Sequence, residues 1–163
     1  MTFEEYQNEA VKFRCETANN EEYLTLGLIA EVGEAAGKLA KRVRDGVWDE
    51  KAFIKELGDI LWFVANLAEY YDRENGPYYY LQLGGCFEMT GTSKLTEKEI
   101  MKEIAFDSAG LVKGFGGMVN VIHKLSCLAK GQGYTLEQVA EINIAKLRDR
   151  QSRGVIKGNG DER

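Results

Sequence analysis

Two stretches of this chain are almost wholly apolar at helical spacing, and each is broken by one narrow polar stripe. Between Leu24 and Ala40 the only charged positions are Glu31, Glu34 and Lys38. At about 100° per residue they fall within about 60° of one another. The other positions are Leu, Ile, Val, Ala, Gly and one Thr, which predicts a helix buried on most sides whose stripe opens into a cleft. Between Ala52 and Ala68 the charges are Lys55, Glu56 and Asp59 alone, with Asn66 seven residues beyond Asp59 on nearly the same line. A third pattern lies near the end, where Asn143, Lys146 and Arg150 recur at i, i+3 and i+7, with Leu136, Val139, Ile142 and Leu147 as an apolar stripe.

These patterns and their end signals predict an all-α chain. The first helix is expected over about Phe3–Ala18, with Thr2 and Glu5 as a capping box. The second runs from Glu21 to Arg44, opened by Asn20 and closed by Gly46; the third runs from Glu50 to Tyr71, capped by Asp49 and stapled by Trp48 and Phe53. Residues 72–94 hold Pro77, several glycines and Tyr78–Tyr80, and read as a loop with room for a short hairpin. Helix resumes at Glu97 behind Thr96 and Glu99, breaks near the glycines at 110, 114, 116 and 117, and continues to about Lys130. Thr135 and Gln138 cap the last helix, which ends near Arg150 and leaves a Gly-rich tail over 151–163. The whole reads as a single domain over 1–163.

The chemistry lies on the stripes. Glu31 and Glu34 make E-x-x-E, and Glu56 and Asp59 make E-x-x-D, each pair on one helical face. One such pair is an ordinary feature of a charged surface, where Lys38, Lys41 and Lys55 would neutralise it. Two pairs on two otherwise apolar helices are costly, because a buried unpaired carboxylate costs several kcal/mol or takes up a proton. Divalent cations with oxygen ligands remove that cost. A di-iron site is excluded, since it needs Glu-x-x-His motifs and the single histidine, His123, lies outside both pairs. Asn143, Lys146 and Arg150 alone make an amphipathic helix; beside a carboxylate–metal cluster they can hold phosphate oxygens and a sugar or base edge.

Composition narrows this further. The formal net charge of −5 opposes binding to a nucleic-acid polymer. Lys146 to Arg163 nevertheless holds six Lys/Arg against three Asp/Glu, which suits a small phosphate-bearing ligand or a solvated tail. Three cysteines without C-x-x-C spacing argue against a disulfide framework or a zinc site. No apolar run reaches membrane-spanning length and the start is acidic and amphipathic, so a cytoplasmic protein away from membranes is expected.

The segments LGLIAEVGEAAGKLAKRVR, KELGDILWFVANLAE and VAEINIAKLRDRQSRGV resemble the all-α nucleoside triphosphate pyrophosphohydrolases of the MazG type. Glu31, Glu34, Glu56 and Asp59 match that family's E-x-x-E…E-x-x-D pattern, and Asn143, Lys146 and Arg150 match its N-x-x-K-L-x-x-R element. The resemblance covers about residues 20–71 and 119–158. It implies a four-helix-bundle-like core and hydrolysis of a nucleoside triphosphate, with a dNTP favoured, to the monophosphate and pyrophosphate, in control or cleansing of the nucleotide pool. It further implies Mg²⁺, with Mn²⁺ able to substitute, and a homo-oligomer, either a dimer or a tetramer. Glu31, Glu34, Glu56 and Asp59 would be the catalytic metal ligands, with Glu31 or Glu34 open to a general-base role. Lys38, Lys146 and Arg150 would face the phosphates, with Asn143 beside them. Trp62 or one of Tyr78–Tyr80 would stack on the base, although Trp62 also reads as core.

Two departures stand out: residues 72–118 form an insertion before the last core helices, and Lys55 replaces an acidic residue. A rival of another class is a non-catalytic helical module that binds nucleotide or a protein; pyrophosphate release separates the two.

Overall fold

The computed structural model describes residues 1–88, 91–111 and 116–155. Among these there are seven α-helices and no strand. They are α1 (Phe3–Ala10), α2 (Glu21–Asp45), α3 (Glu50–Asn75), α4 (Tyr78–Glu88), α5 (Glu97–Gly110), α6 (Gly116–Gly131) and α7 (Leu136–Ser152). The chain is all-α, as its periodicity predicts.

The end signals act where the sequence puts them. Thr2, Asn20, Asp49, Thr96 and Thr135 each accept a backbone N–H of the first turn of their helix. Each such cap is worth about 1 kcal/mol. Gly46 closes α2 in the left-handed conformation, φ 72°. Trp48 and Phe53 meet with ring centroids 4.9 Å apart, so the staple before α3 forms.

Helix α3 is the axis of the fold. It packs against α1, α2, α4, α6 and α7. Phe53, Ile54, Leu57, Ile60, Leu61, Val64, Leu67 and Ala68 are all buried on it, which is why its apolar residues wrap nearly the whole circumference. Helices α2 and α3 run antiparallel. Gly27 on α2 faces Phe63 on α3 so closely that a Cβ at Gly27 would lie 2.2 Å from the ring. That close approach brings the polar stripes of the two helices together one turn further along.

Four expectations are corrected. The first helix stops at Ala10; short 3-10 turns follow at Val11–Phe13 and Glu16–Ala18. Arg14 turns extended there, and its guanidinium donates to the Asn66 carbonyl and pairs with Glu69.

Residues 78–88 are helical, not loop or hairpin. Pro77 stands just before the helix, where its missing N–H costs nothing, and Tyr79 donates its N–H to the Asp72 carboxylate at 2.7 Å. Leu83 and Phe87, four apart, are both buried, and that packing offsets Gly84 and Gly85.

Nor is α2 buried on most sides within one copy: Leu26, Ile29, Ala30 and Gly33 are exposed. The third helix also runs on to Asn75, past the expected Tyr71. The expected break near the glycines partly falls at 112–115, and most of the tail at 156–163; both lie outside the described residues.

Candidate active site

The antiparallel register of α2 on α3 sets Glu31 against Glu56 and Asp59. An oxygen from each lies within 4.8 Å of the other two. Glu56 is only 3% exposed, and the Lys38 ammonium stands 3.0 Å from its Oε1. Asp59 is half-buried and doubly held: Lys146 pairs with Oδ2, and the Asn143 amide donates to Oδ1 at 3.0 Å. Asn143 is itself 1% exposed. Its placement depends on Gly58, where a Cβ would stand 3.0 Å from Asn143 Cβ and 3.2 Å from Nδ2.

The electrostatics follow from this crowding. Burial, then Asp59, Glu34 and Glu56, push the Glu31 carboxyl up to about 8, against the pull of Lys146. Three carboxylates face two ammonium groups, so the cluster retains an acidic site that a proton or a cation would satisfy. The donors are all hard oxygens, the set that Mg²⁺ and Mn²⁺ take, with no soft sulfur or imidazole among them. On that chemistry the residues suit a divalent cation.

Beside the cluster lies a cleft of about 370 Å³. Among its lining residues, Lys38, Lys55, Lys146, Arg150 and Arg153 supply positive charge against Glu56, Asp59 and Asp149. A concentration of cations next to a cluster of acids suits a ligand that is itself polyanionic and carries a metal.

The predicted residues do not all converge. Glu31, Glu56, Asp59, Lys38, Asn143, Lys146 and Arg150 gather at the cluster and cleft. Glu34 is exposed on the rim, outside the set of three, because three residues along α2 turn it about 60° from Glu31. It remains near enough to raise Glu31. Trp62 does not line the cleft; its indole N–H donates to the Ala10 carbonyl at 3.0 Å and its ring meets Phe63 edge-on. Tyr79 packs on Tyr78 and on Tyr71, and neither Tyr78 nor Tyr79 is among the cleft-lining residues. The side chain of Tyr80 lies outside the described residues. Asn66 is fully buried and donates to the Trp62 carbonyl on its own helix.

Three participants escaped the sequence reading. Arg153, three residues beyond Arg150, extends the basic line of α7 and was within reach of the same periodicity. Lys55, in sequence a neutralising charge for the carboxylate pairs and a departure from the family pattern, lines the cleft. Tyr6 donates its hydroxyl to Asn143 Oδ1 at 2.9 Å, a contact across 137 residues that no local pattern signals.

Comparison with known proteins bears on the segment that holds α2 and α3. Residues 19–78 match the MazG nucleotide pyrophosphohydrolase domain, a match consistent with a MazG-like family. The match holds all four carboxylates and ends before Asn143, Lys146 and Arg150. Among individual proteins, the chain is similar to the Gene 37 protein of Mycobacterium phage L5, 40% identical over 63 residues. That alignment takes in 36% of this chain and 55% of the phage protein, so the chain spans about half the length of the curated relative it matches. No solved structure matches. Among the described residues no helix is long and apolar enough to cross a membrane.

Proposed function

We propose that this protein hydrolyses a nucleoside triphosphate, with a dNTP as the expected form, to the monophosphate and pyrophosphate in the presence of Mg²⁺. The observation that carries this reading is the juxtaposition of Glu31, Glu56 and Asp59 with a cleft lined by Lys38, Lys55, Lys146, Arg150 and Arg153. A triphosphate resists hydrolysis because its negative charge repels nucleophiles. Cleavage between the α- and β-phosphorus needs that charge neutralised at both ends of the breaking bond.

Glu31, Glu56 and Asp59 would hold the divalent cation. When bound, the cation supplies Lewis-acid charge against the phosphoryl oxygens and makes nearby water more acidic. Lys146 and Lys38 stand at the carboxylates in position to turn to the phosphates. Arg150, Arg153 and Lys55 would bind the β- and γ-phosphates further out, orienting pyrophosphate as the leaving group. Glu34, on the rim one turn from Glu31, would take the proton from the attacking water. The cytoplasm, rich in nucleotides and Mg²⁺, is the compartment this chemistry suits.

We further propose a homodimer. The exposed stripe of α2 runs through Tyr23, Leu26, Ile29, Ala30 and Gly33, and a Cβ built at Gly33 or Gly37 meets nothing within 4 Å. Small residues among large apolar ones let a second helix of the same kind approach closely, and a two-fold axis lets the stripe cover itself.

The test of the enzymatic reading is direct. The protein is incubated with Mg²⁺ and a panel of NTPs and dNTPs, and the products are assayed. Pyrophosphate and monophosphate in equal amounts are expected, and the panel reads sugar and base preference. Release of inorganic phosphate would reassign the bond, and binding of nucleotide without release would make the protein a binding module.

A further inference from the structure

Tyr6 does not line the cleft, yet its hydroxyl is tied to the carboxylate cluster. The residue is fully buried on α1, with its ring stacked against Phe87 at 6.4 Å. Its phenol oxygen lies 2.9 Å from Oδ1 of Asn143, and Nδ2 of the same amide lies 3.0 Å from Oδ1 of Asp59. The direction of both bonds is forced. An ionised carboxylate only accepts, so the amide must turn its N–H₂ to Asp59 and its carbonyl oxygen to Tyr6. That oxygen needs a donor, and the phenol has one proton to give. Burial and the Asp59 charge hold the phenol well above its ordinary pKa, so the proton stays in place.

Asn143 is buried on every side, so solvent is poorly placed to substitute for the phenol. The amide packs over Gly58 on α3, in space that a Cβ there would take, 3.2 Å from Nδ2. Three elements, α1, α3 and α7, thus converge on one side-chain amide whose remaining bond is to Asp59.

We propose that Tyr6 is a positioning residue for the cluster, fixing the Asp59 carboxylate through Asn143 so that it faces Glu31 and Glu56. This rests on the reading of those three residues as a divalent-cation site. A group that orients a metal-ligating carboxylate acts on cation affinity itself, before any nucleotide is present.

The test is Mn²⁺ binding to the nucleotide-free protein, read by the EPR signal of free Mn²⁺, for wild type, Tyr6→Phe, Asn143→Ala and the double variant. Loss of an orienting partner typically weakens metal affinity by about 10- to 100-fold. Tyr6→Phe, which keeps the buried ring, is expected to weaken it about tenfold, and Asn143→Ala at least as much. In the Asn143→Ala background Tyr6→Phe should have no further effect.

Tyr6→Phe binding Mn²⁺ within about twofold of wild type overturns the proposal, as does a lowered Tm with unchanged affinity. Losses that multiply in the double variant overturn it too, because Tyr6 would then act by another route. If Tyr6→Phe does not fold, ¹⁵N-labelled wild type answers the same question: the Asn143 side-chain amide signal should shift during a Mg²⁺ titration, and a stationary signal overturns the link. Glu56→Gln separates the two readings. Equal Mn²⁺ binding by wild type and Glu56→Gln removes the metal site, and the positioning role with it. Loss in Glu56→Gln with none in Tyr6→Phe removes the positioning role alone.

Discussion

The ammonium nitrogen of Lys38 lies 3.0 Å from Oε1 of Glu56 across the α2–α3 contact. The lysine is half-buried and the glutamate almost fully so. A pair of this kind contributes little net stability, but removing one partner takes a compensating charge away from the other, which is buried. Lys38→Met should therefore destabilise the metal-free protein by about 2 kcal/mol, below the usual cost for a fully buried pair because Lys38 is partly solvated. Mg²⁺ should restore more stability to this variant than to wild type, since the cation would replace the lost positive charge. Thermal melts with EDTA and with Mg²⁺ read both effects. Equal Mg²⁺ stabilisation of the two proteins would show that Glu56 does not face the cation.

Glu34 and Glu56 share the motif but not the location. Glu56→Gln should lose nearly all turnover, weaken Mn²⁺ binding and keep the helical CD signal. Glu34→Gln should lose turnover comparably, on the order of 10²–10⁴-fold for a general base, while binding Mn²⁺ within about twofold of wild type. Should Glu34→Gln weaken Mn²⁺ as much as Glu56→Gln does, Glu34 is a ligand and the base lies elsewhere.

The parts of this protein that depend on one helix at a time were readable from its residues. Caps at Thr2, Asn20, Asp49, Thr96 and Thr135 form because each needs only a side chain and a backbone N–H three residues away. The carboxylate stripes were readable for a related reason: a charge on an apolar helix can be accommodated in few places. What escaped depends on contacts distant in sequence. Arg14 ends the first helix early by reaching Asn66 and Glu69. Leu83 and Phe87 keep α4 helical despite its glycines because they are buried among other helices. Helical periodicity gives the direction of Glu34 relative to Glu31, but not which of the two meets α3. Nor could it tell an apolar face covered within the chain from one left open, and α2 has both.

The Glu31 carboxyl is pushed up to about 8, first by burial and then by Asp59, Glu34 and Glu56, with Lys146 opposing. In metal-free protein it therefore retains a proton that the unfolded chain, at an ordinary value of 4.5, gives up. For a folded-state value raised above the unfolded one, the contribution is fully present below 4.5 and lost as pH rises through about 8. The urea midpoint in EDTA should therefore fall between about pH 5 and about pH 8. Mg²⁺ should flatten that fall, and Glu31→Gln should remove this group's share of it. A Glu31→Gln profile that overlays wild type in EDTA would place the titrating group elsewhere.

The open face of α2 carries the last prediction. Leu26 is 60% exposed, Ile29 42% and Tyr23 46%, and covering a large apolar side chain is worth about 1.5–3 kcal/mol. A second copy seated on this stripe would bury all three twice over, once from each protomer, which suits a stable dimer. Charge placed there has no partner and must stay in water. Leu26→Glu with Ile29→Glu should therefore convert a dimer to a monomer in analytical ultracentrifugation, without loss of helical CD. Neither residue lines the cleft, so a fall in turnover on dissociation would mean that the neighbouring copy helps to hold Glu34 or the nucleotide. Wild type sedimenting as a monomer at micromolar concentration would leave the stripe to another partner and remove the homodimer.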